Sequence, residues 1–126
     1  ALNTGEFIHS VILPLPSSGQ RVWVEKVSKR AEDDISATCV AMSVTMEQGT
    51  ITQINIACGG MAAIPKMASE TQRQLLGQAL THQLVAQVPL WLAQDYQPID
   101  DMRASAAYRQ QVTANLVQGF LKEAMR

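Results

Sequence analysis

Seven of the ten residues from Glu25 to Asp34 are charged, and after Glu25 they are sorted by sign. Lys26, Lys29 and Arg30 come first, and Glu32, Asp33 and Asp34 come last. The tract can therefore close on itself through ion pairs. Exposed pairs contribute only about 0–1 kcal/mol each, so they shape a loop more than they stabilise a fold. Apolar runs flank the tract, Val22-Trp23-Val24 before it and Ala37 to Val44 after it. A charged loop carried between two strands is a usual place for binding chemistry.

The other reactive residue types form no complete site. His9 and His82 are the only histidines, and nothing in their spacing with Cys39 and Cys58 gives the three or four ligands of a metal centre. A nucleophilic serine needs a base within hydrogen-bond reach, and neither histidine has a context that supplies one. Asp33-Asp34 and Asp100-Asp101 are paired carboxylates, but adjacent loop residues point apart, and turn formation or helix capping accounts for them. Gly59-Gly60 lies between a strand and a helix. It lacks the further glycines and the parallel βαβ unit of a phosphate-binding loop, so a tight turn is the better reading. Trp23 and Trp91 read as core residues.

Composition narrows the class. With 126 residues, 47% hydrophobic and 17% charged, the chain is one ordinary globular domain. A net charge of −1 gives no footprint for nucleic acid or an anionic membrane. No apolar run reaches the roughly 18 residues of a membrane span. Two cysteines in apolar strand patterns read as buried free thiols in a reducing compartment, so a cytoplasmic location is expected. Because the chain opens on Ala1 without an initiator Met, a fragment or processed piece of a longer protein is expected.

The elements that must position the loop follow from the periodicities. Phe7–Leu13 reads as a strand that Pro14-Leu15-Pro16 must end. Ser17–Gln20 is a turn, and Arg21–Val27 a second strand, with Val22 and Val24 on one face and Trp23 on the other. Thr38–Met46 alternates, with Val40, Met42, Val44 and Met46 on one face and small residues on the other. Ile51–Cys58 returns after Glu47-Gln48-Gly49, with Ile54, Ile56 and Cys58 on one face; this is an antiparallel hairpin. The period then becomes helical. A first helix contains Met67 to Leu76, with Gly77 as its stop. A second, Thr81–Asp95, is kinked or split by Pro89. A third, Ser105–Met125, is expected to bury Tyr108, Val112, Leu116, Phe120 and Leu121. Strands first and helices last predict an α+β fold, an antiparallel sheet of three to four strands with three helices packed on one face.

Five segments together resemble the C-terminal domain of the flavoprotein subunit of molybdenum hydroxylases, in the xanthine dehydrogenase branch. They are Gly5-Glu6-Phe7 with Pro14; Lys26 through Ser36; Gly59 through Lys66; Leu76-Gly77-Gln78; and Pro98 through Arg109. They occur in the family's order and cover nearly the whole chain.

The resemblance implies an enzyme that oxidises a purine at a molybdenum centre. It passes electrons through iron–sulfur clusters to FAD and on to NAD. The molybdopterin and iron–sulfur centres would belong to other domains or subunits. Most of the FAD would be held by an upstream domain, to which residues 1–16 would belong or connect, with residues 17–126 as the C-terminal domain. Ile8 and Lys26 carry over as flavin contacts, and Ser28, Arg30, Asp33 and Asp34 as the flavin-adjacent loop. An ammonium fixed at the ring would favour its anionic reduced form.

Two departures, Pro89 in a helix and Leu80 at a position expected to be aromatic, bear on helix geometry. Two rival readings are a structural module docking a partner subunit through Arg103, Tyr108 and Arg109, and the same domain in a hydroxylase for carbon monoxide, nicotinate or another heterocycle. The chain alone is expected to be inactive.

Overall fold

A computed structural model describes residues 2–30 and 35–126 of the chain. Its order is β1 (Gln20–Val27), β2 (Thr38–Glu47), β3 (Thr50–Gly59), β4 (Lys66–Met67), α1 (Ser69–Leu75), α2 (His82–Ala86), α3 (Val88–Asp95) and α4 (Ala106–Ala124). The four strands form one antiparallel sheet in the order β1-β2-β3-β4, and the α+β fold read from the sequence holds.

β2 and β3 carry the inward stripe that the alternation predicts. Val40, Met42, Val44, Ile54, Ile56 and Cys58 are buried beneath the helices. Each such side chain contributes on the order of 1.5–3 kcal/mol. The hairpin turns on Gln48 (φ 50°) and Gly49 (φ 80°), two consecutive positive-φ residues that match the twist of the strands. Register slips between Thr45↔Gln53 and Met46↔Ile51, so β3 carries one extra residue there. That bulge turns Ile51 inward as well as Ile54, despite their odd spacing.

The helices cover one face. α4 lies across β1 and β2, and α1 lies on β3. Pro89 splits the second predicted helix: α2 ends before Gln87, and α3 takes the proline into its first turn, where a missing N–H costs nothing. α1 has no side-chain cap of its own at Ala68. Asp95, the last residue of α3, supplies it, accepting the N–H of Glu70 at 2.8 Å, the N–H of Thr71 at 2.9 Å and the Thr71 hydroxyl at 2.7 Å. The same turn holds Lys66, whose ammonium donates to the Asp95 carbonyl and whose carbonyl accepts the Tyr96 hydroxyl, both at 2.7 Å.

Two expectations are corrected. Phe7–Leu13 is not a strand of this sheet: residues 6–16 have no regular secondary structure and are exposed, and no described strand pairs with them. Its apolar residues Phe7, Ile8, Val11, Ile12 and Leu13 are all exposed. The sheet's fourth strand is instead the two-residue β4.

The buried face of α4 is also turned by about one residue from the predicted stripe. Arg109, Thr113, Val117 and Leu121 point inward with Ala114 and Ala124, while Tyr108 is 49% exposed. A polar residue at each of the first two inward positions hides the stripe from a count of apolar side chains. Phe120 lies at its edge and stacks on Trp23, with centroids 5.7 Å apart and planes 14° from parallel.

Candidate functional site

With Trp23 on the helix side of β1, the alternation puts Val22, Val24 and Lys26 on the open side of the sheet. Register places Lys26 opposite Cys39, and Cys39 opposite Gly59. The next row outward is Val24, Ala41, Ala57 and Met67. The middle of this end of the open face carries small residues, Cys39, Ala41, Ala57 and Gly59, with Val24 66% exposed beside them and a lysine at one corner. No helix covers it.

Lys26 is exposed at the end of β1, where the charged loop starts. The Ala37 N–H donates to the Val27 carbonyl at 2.7 Å, closing the loop's two ends. Lys29 donates to the Met102 carbonyl at 2.7 Å, which ties the loop to the connector before α4. Ser28 and Lys29 line a cleft of about 470 Å³ together with Asp101, Arg103, Ser105 and Tyr108. Arg30 is exposed beside them. Asp33 and Asp34 lie outside the described residues, and so do the acidic partners expected to close the loop by ion pairs. Ile8 is 69% exposed in the segment before β1. The sheet and the loop thus bring Lys26, Ser28 and Arg30 to one end of the domain, whereas Ile8 stands apart on its own segment.

The strongest polar anchor of this end was not among the predicted site residues. Arg109 projects from the first turns of α4 and is only 4% exposed. Its Nη1 donates to the carbonyls of Ala37 at 2.5 Å and Gly60 at 2.8 Å, and its Nη2 to Asp101 Oδ1 at 2.6 Å. Asp101 Oδ1 also accepts the N–H groups of Arg103 and Ala104. Those two bonds, and then the Arg109 guanidinium, hold the Asp101 carboxyl below its ordinary range. Asp100 accepts the N–H of Ala106, and Ser105 that of Tyr108, so the paired carboxylates form turns and caps as expected.

Gly60 (φ +77°) is a tight turn, with no room for a side chain; a Cβ there would meet the Ala37 carbonyl oxygen at 2.5 Å and Arg109 Nη1 at 3.1 Å. Because Arg109 is buried, it cannot dock a partner, which corrects that part of the docking alternative. The four-residue spacing of Arg109, Thr113, Val117 and Leu121 was the available signal, masked by the polarity of the first two.

The remaining candidates stay apart. His9 is exposed in the segment before β1, and His82 is exposed at the start of α2. Cys39 is half-buried on the open face and Cys58 is buried in the core; both are free thiols. Burial pushes the Cys58 thiol up to about 11, partly offset by the neighbouring Tyr96 hydroxyl. Among the described residues no group of three His, Cys, Asp or Glu side chains could hold a metal ion. Nor, among them, is any helix long and apolar enough to cross a membrane.

The fold is shared with a chain of the carbon monoxide dehydrogenase from Hydrogenophaga pseudoflava that lacks the Mo-pyranopterin moiety. The TM-score is 0.77 at 23% identity, over 85% of this chain and 37% of that one. Residues 23–124 match the family model of the CO dehydrogenase flavoprotein C-terminal domain, and the chain belongs to that family. By the description of that family, the chain is the C-terminal domain of a flavoprotein.

The glyceraldehyde dehydrogenase medium chain of Sulfolobus acidocaldarius is 29% identical over 96% of this chain and 42% of its own length. The nicotinate hydroxylase hnxS of Emericella nidulans is 30% identical over 95% of this chain and 9% of its own length. This chain therefore spans less than half the length of each of these relatives.

Proposed function

We propose that this domain covers one side of the isoalloxazine of an FAD held mainly by an upstream domain, with Ile8 and Lys26 as its contacts. The loop bearing Ser28, Arg30, Asp33 and Asp34 lies beside the ring. The observation that carries this reading is Lys26 itself, an exposed lysine at the corner of an open face, with the small residues Cys39 and Gly59 in its row. Such a face suits a planar group. The exposed apolar segment 6–16 suits a strand or packing site in the upstream FAD-binding domain, to which residues 1–16 are assigned.

In the intact enzyme, electrons from a purine oxidised at the molybdenum centre reach this flavin through iron–sulfur clusters and leave to NAD, as in xanthine dehydrogenases. The enzyme works in the cytoplasm. The resemblance of Lys26–Ser36 and Pro98–Arg109 to that branch supports the purine and NAD assignment. A rival assignment keeps the domain and changes the substrate. It is favoured by relatives named for glyceraldehyde and nicotinate.

The test is the flavin midpoint potential of the full-length FAD-loaded subunit carrying Lys26→Gln. Removing a cation from the ring weakens the anionic reduced form, so the potential should fall, on the order of 30 mV for about 1.4 kcal/mol in a two-electron couple. An unmoved potential contradicts the placement.

A further inference from the structure

We propose that Arg109 is a positioning residue for the flavin face: it fixes where Lys26 and the two ends of the charged loop stand, from the far side of the sheet. The inference rests on the flavin reading of Lys26 given above and goes beyond it, because Arg109 has no place on the flavin face.

The geometry is a chain of short bonds. One nitrogen of the buried guanidinium holds two carbonyls from separate strand ends, Ala37 just before β2 and Gly60 just after β3. Ala37 in turn donates its N–H to Val27, the residue after Lys26. Ala37 stands two residues before Cys39, and Gly60 one residue after Gly59, so both border the row Lys26–Cys39–Gly59. The other nitrogen holds Asp101, whose connector is gripped from the loop side by Lys29 through the Met102 carbonyl.

Arginine suits this role where lysine does not. Its planar fork reaches three acceptors in fixed directions, whereas an ammonium is a point charge on a flexible stem. Gly60 completes the fit, since any Cβ would separate the Ala37 carbonyl and the guanidinium. A turn further along α4, the Thr113 hydroxyl lies 2.8 Å from that of Thr38, holding the first residue of β2 on the same side. The site is therefore built from behind by α4, and the loop's placement depends on a residue buried in the helix layer.

The experiment uses the full-length FAD-loaded subunit with Arg109→Lys, alone and combined with Lys26→Gln. Two quantities are read: hydrogen exchange of the Ala37 amide and the flavin midpoint potential. The expected result is a loss of Ala37 protection of about tenfold or more, as for one lost hydrogen bond. A potential shift should accompany it in the Lys26 background and vanish in the Lys26→Gln background. Gly60→Ala, which disturbs the same contact without touching Arg109, should shift the potential in the same direction, and serves if Arg109→Lys does not fold.

Retained Ala37 protection, or an equal potential shift in both backgrounds, overturns the inference. If Lys26→Gln moves the potential while neither Arg109→Lys nor Gly60→Ala does, the inference alone falls. If Lys26→Gln itself leaves the potential unmoved, the flavin reading falls and the inference with it.

Discussion

Thr38 and Thr113 are 75 positions apart, yet their hydroxyls meet at 2.8 Å in full burial. Thr113 also contacts the Met61 sulfur at 3.2 Å, and Thr38 the Gly59 carbonyl at 3.4 Å. With Arg109 one turn earlier, this pair makes the first half of α4 a polar clamp on the ends of β2 and β3. The second half, through Val117, Leu121 and Ala124, is ordinary apolar core.

The hydroxyl pair has a measurable signature. Thr113→Val leaves the Thr38 hydroxyl in an apolar site with one long bond, so a loss of about 1–2 kcal/mol is expected in denaturant unfolding. Replacing both residues by Val removes donor and acceptor together and should cost less than the sum of the single changes. Strict additivity would show that the two hydroxyls do not interact.

Gly119 lies inside α4 with nothing within 4 Å of the position its Cβ would take. It has no conformational role there, and glycine in a helix interior is about 0.8–1 kcal/mol worse than alanine. Gly119→Ala should raise the unfolding free energy by about that amount. A destabilised variant would mean that this face of α4 is packed in the intact protein.

Acid should loosen the connector before α4. The Asp101 carboxyl is depressed in the folded chain, so it binds protons less readily there than when unfolded. Its contribution is therefore present above the unfolded value, about 3.9 for Asp, and is lost as pH falls through the depressed folded value. Asp101→Asn should be less stable than the unsubstituted chain near neutral pH, and the gap should close as pH falls through the depressed folded value. A gap that persists in acid would assign the effect to geometry and not to charge.

How much of this was legible beforehand varies with the kind of signal. The hairpin of β2 and β3 announces itself, because Val40, Met42 and Val44 alternate with small residues and Gly49 marks the turn. Pro89 likewise foretells the break between α2 and α3. Phe7–Leu13 misled because an apolar stretch between a turn and prolines suggests a strand without naming its partner, and no described strand pairs with it. The face of α4 misled for the opposite reason: Arg109 and Thr113 are buried, but their polarity disguises them, and the carbonyls that satisfy Arg109 come from Ala37 and Gly60, distant in sequence. The charged loop and Lys26 stood out by composition. Their anchor did not, since a lone arginine in a helix carries no local mark of burial.

The proposed contact of Lys26 and Ile8 with the flavin ring is tested most directly by the structure of the intact, FAD-loaded subunit. The expected result is the isoalloxazine against the open end of β1, with Ile8 packed on it and the Lys26 ammonium within hydrogen-bond reach. A ring remote from both residues would contradict the proposed role of this domain.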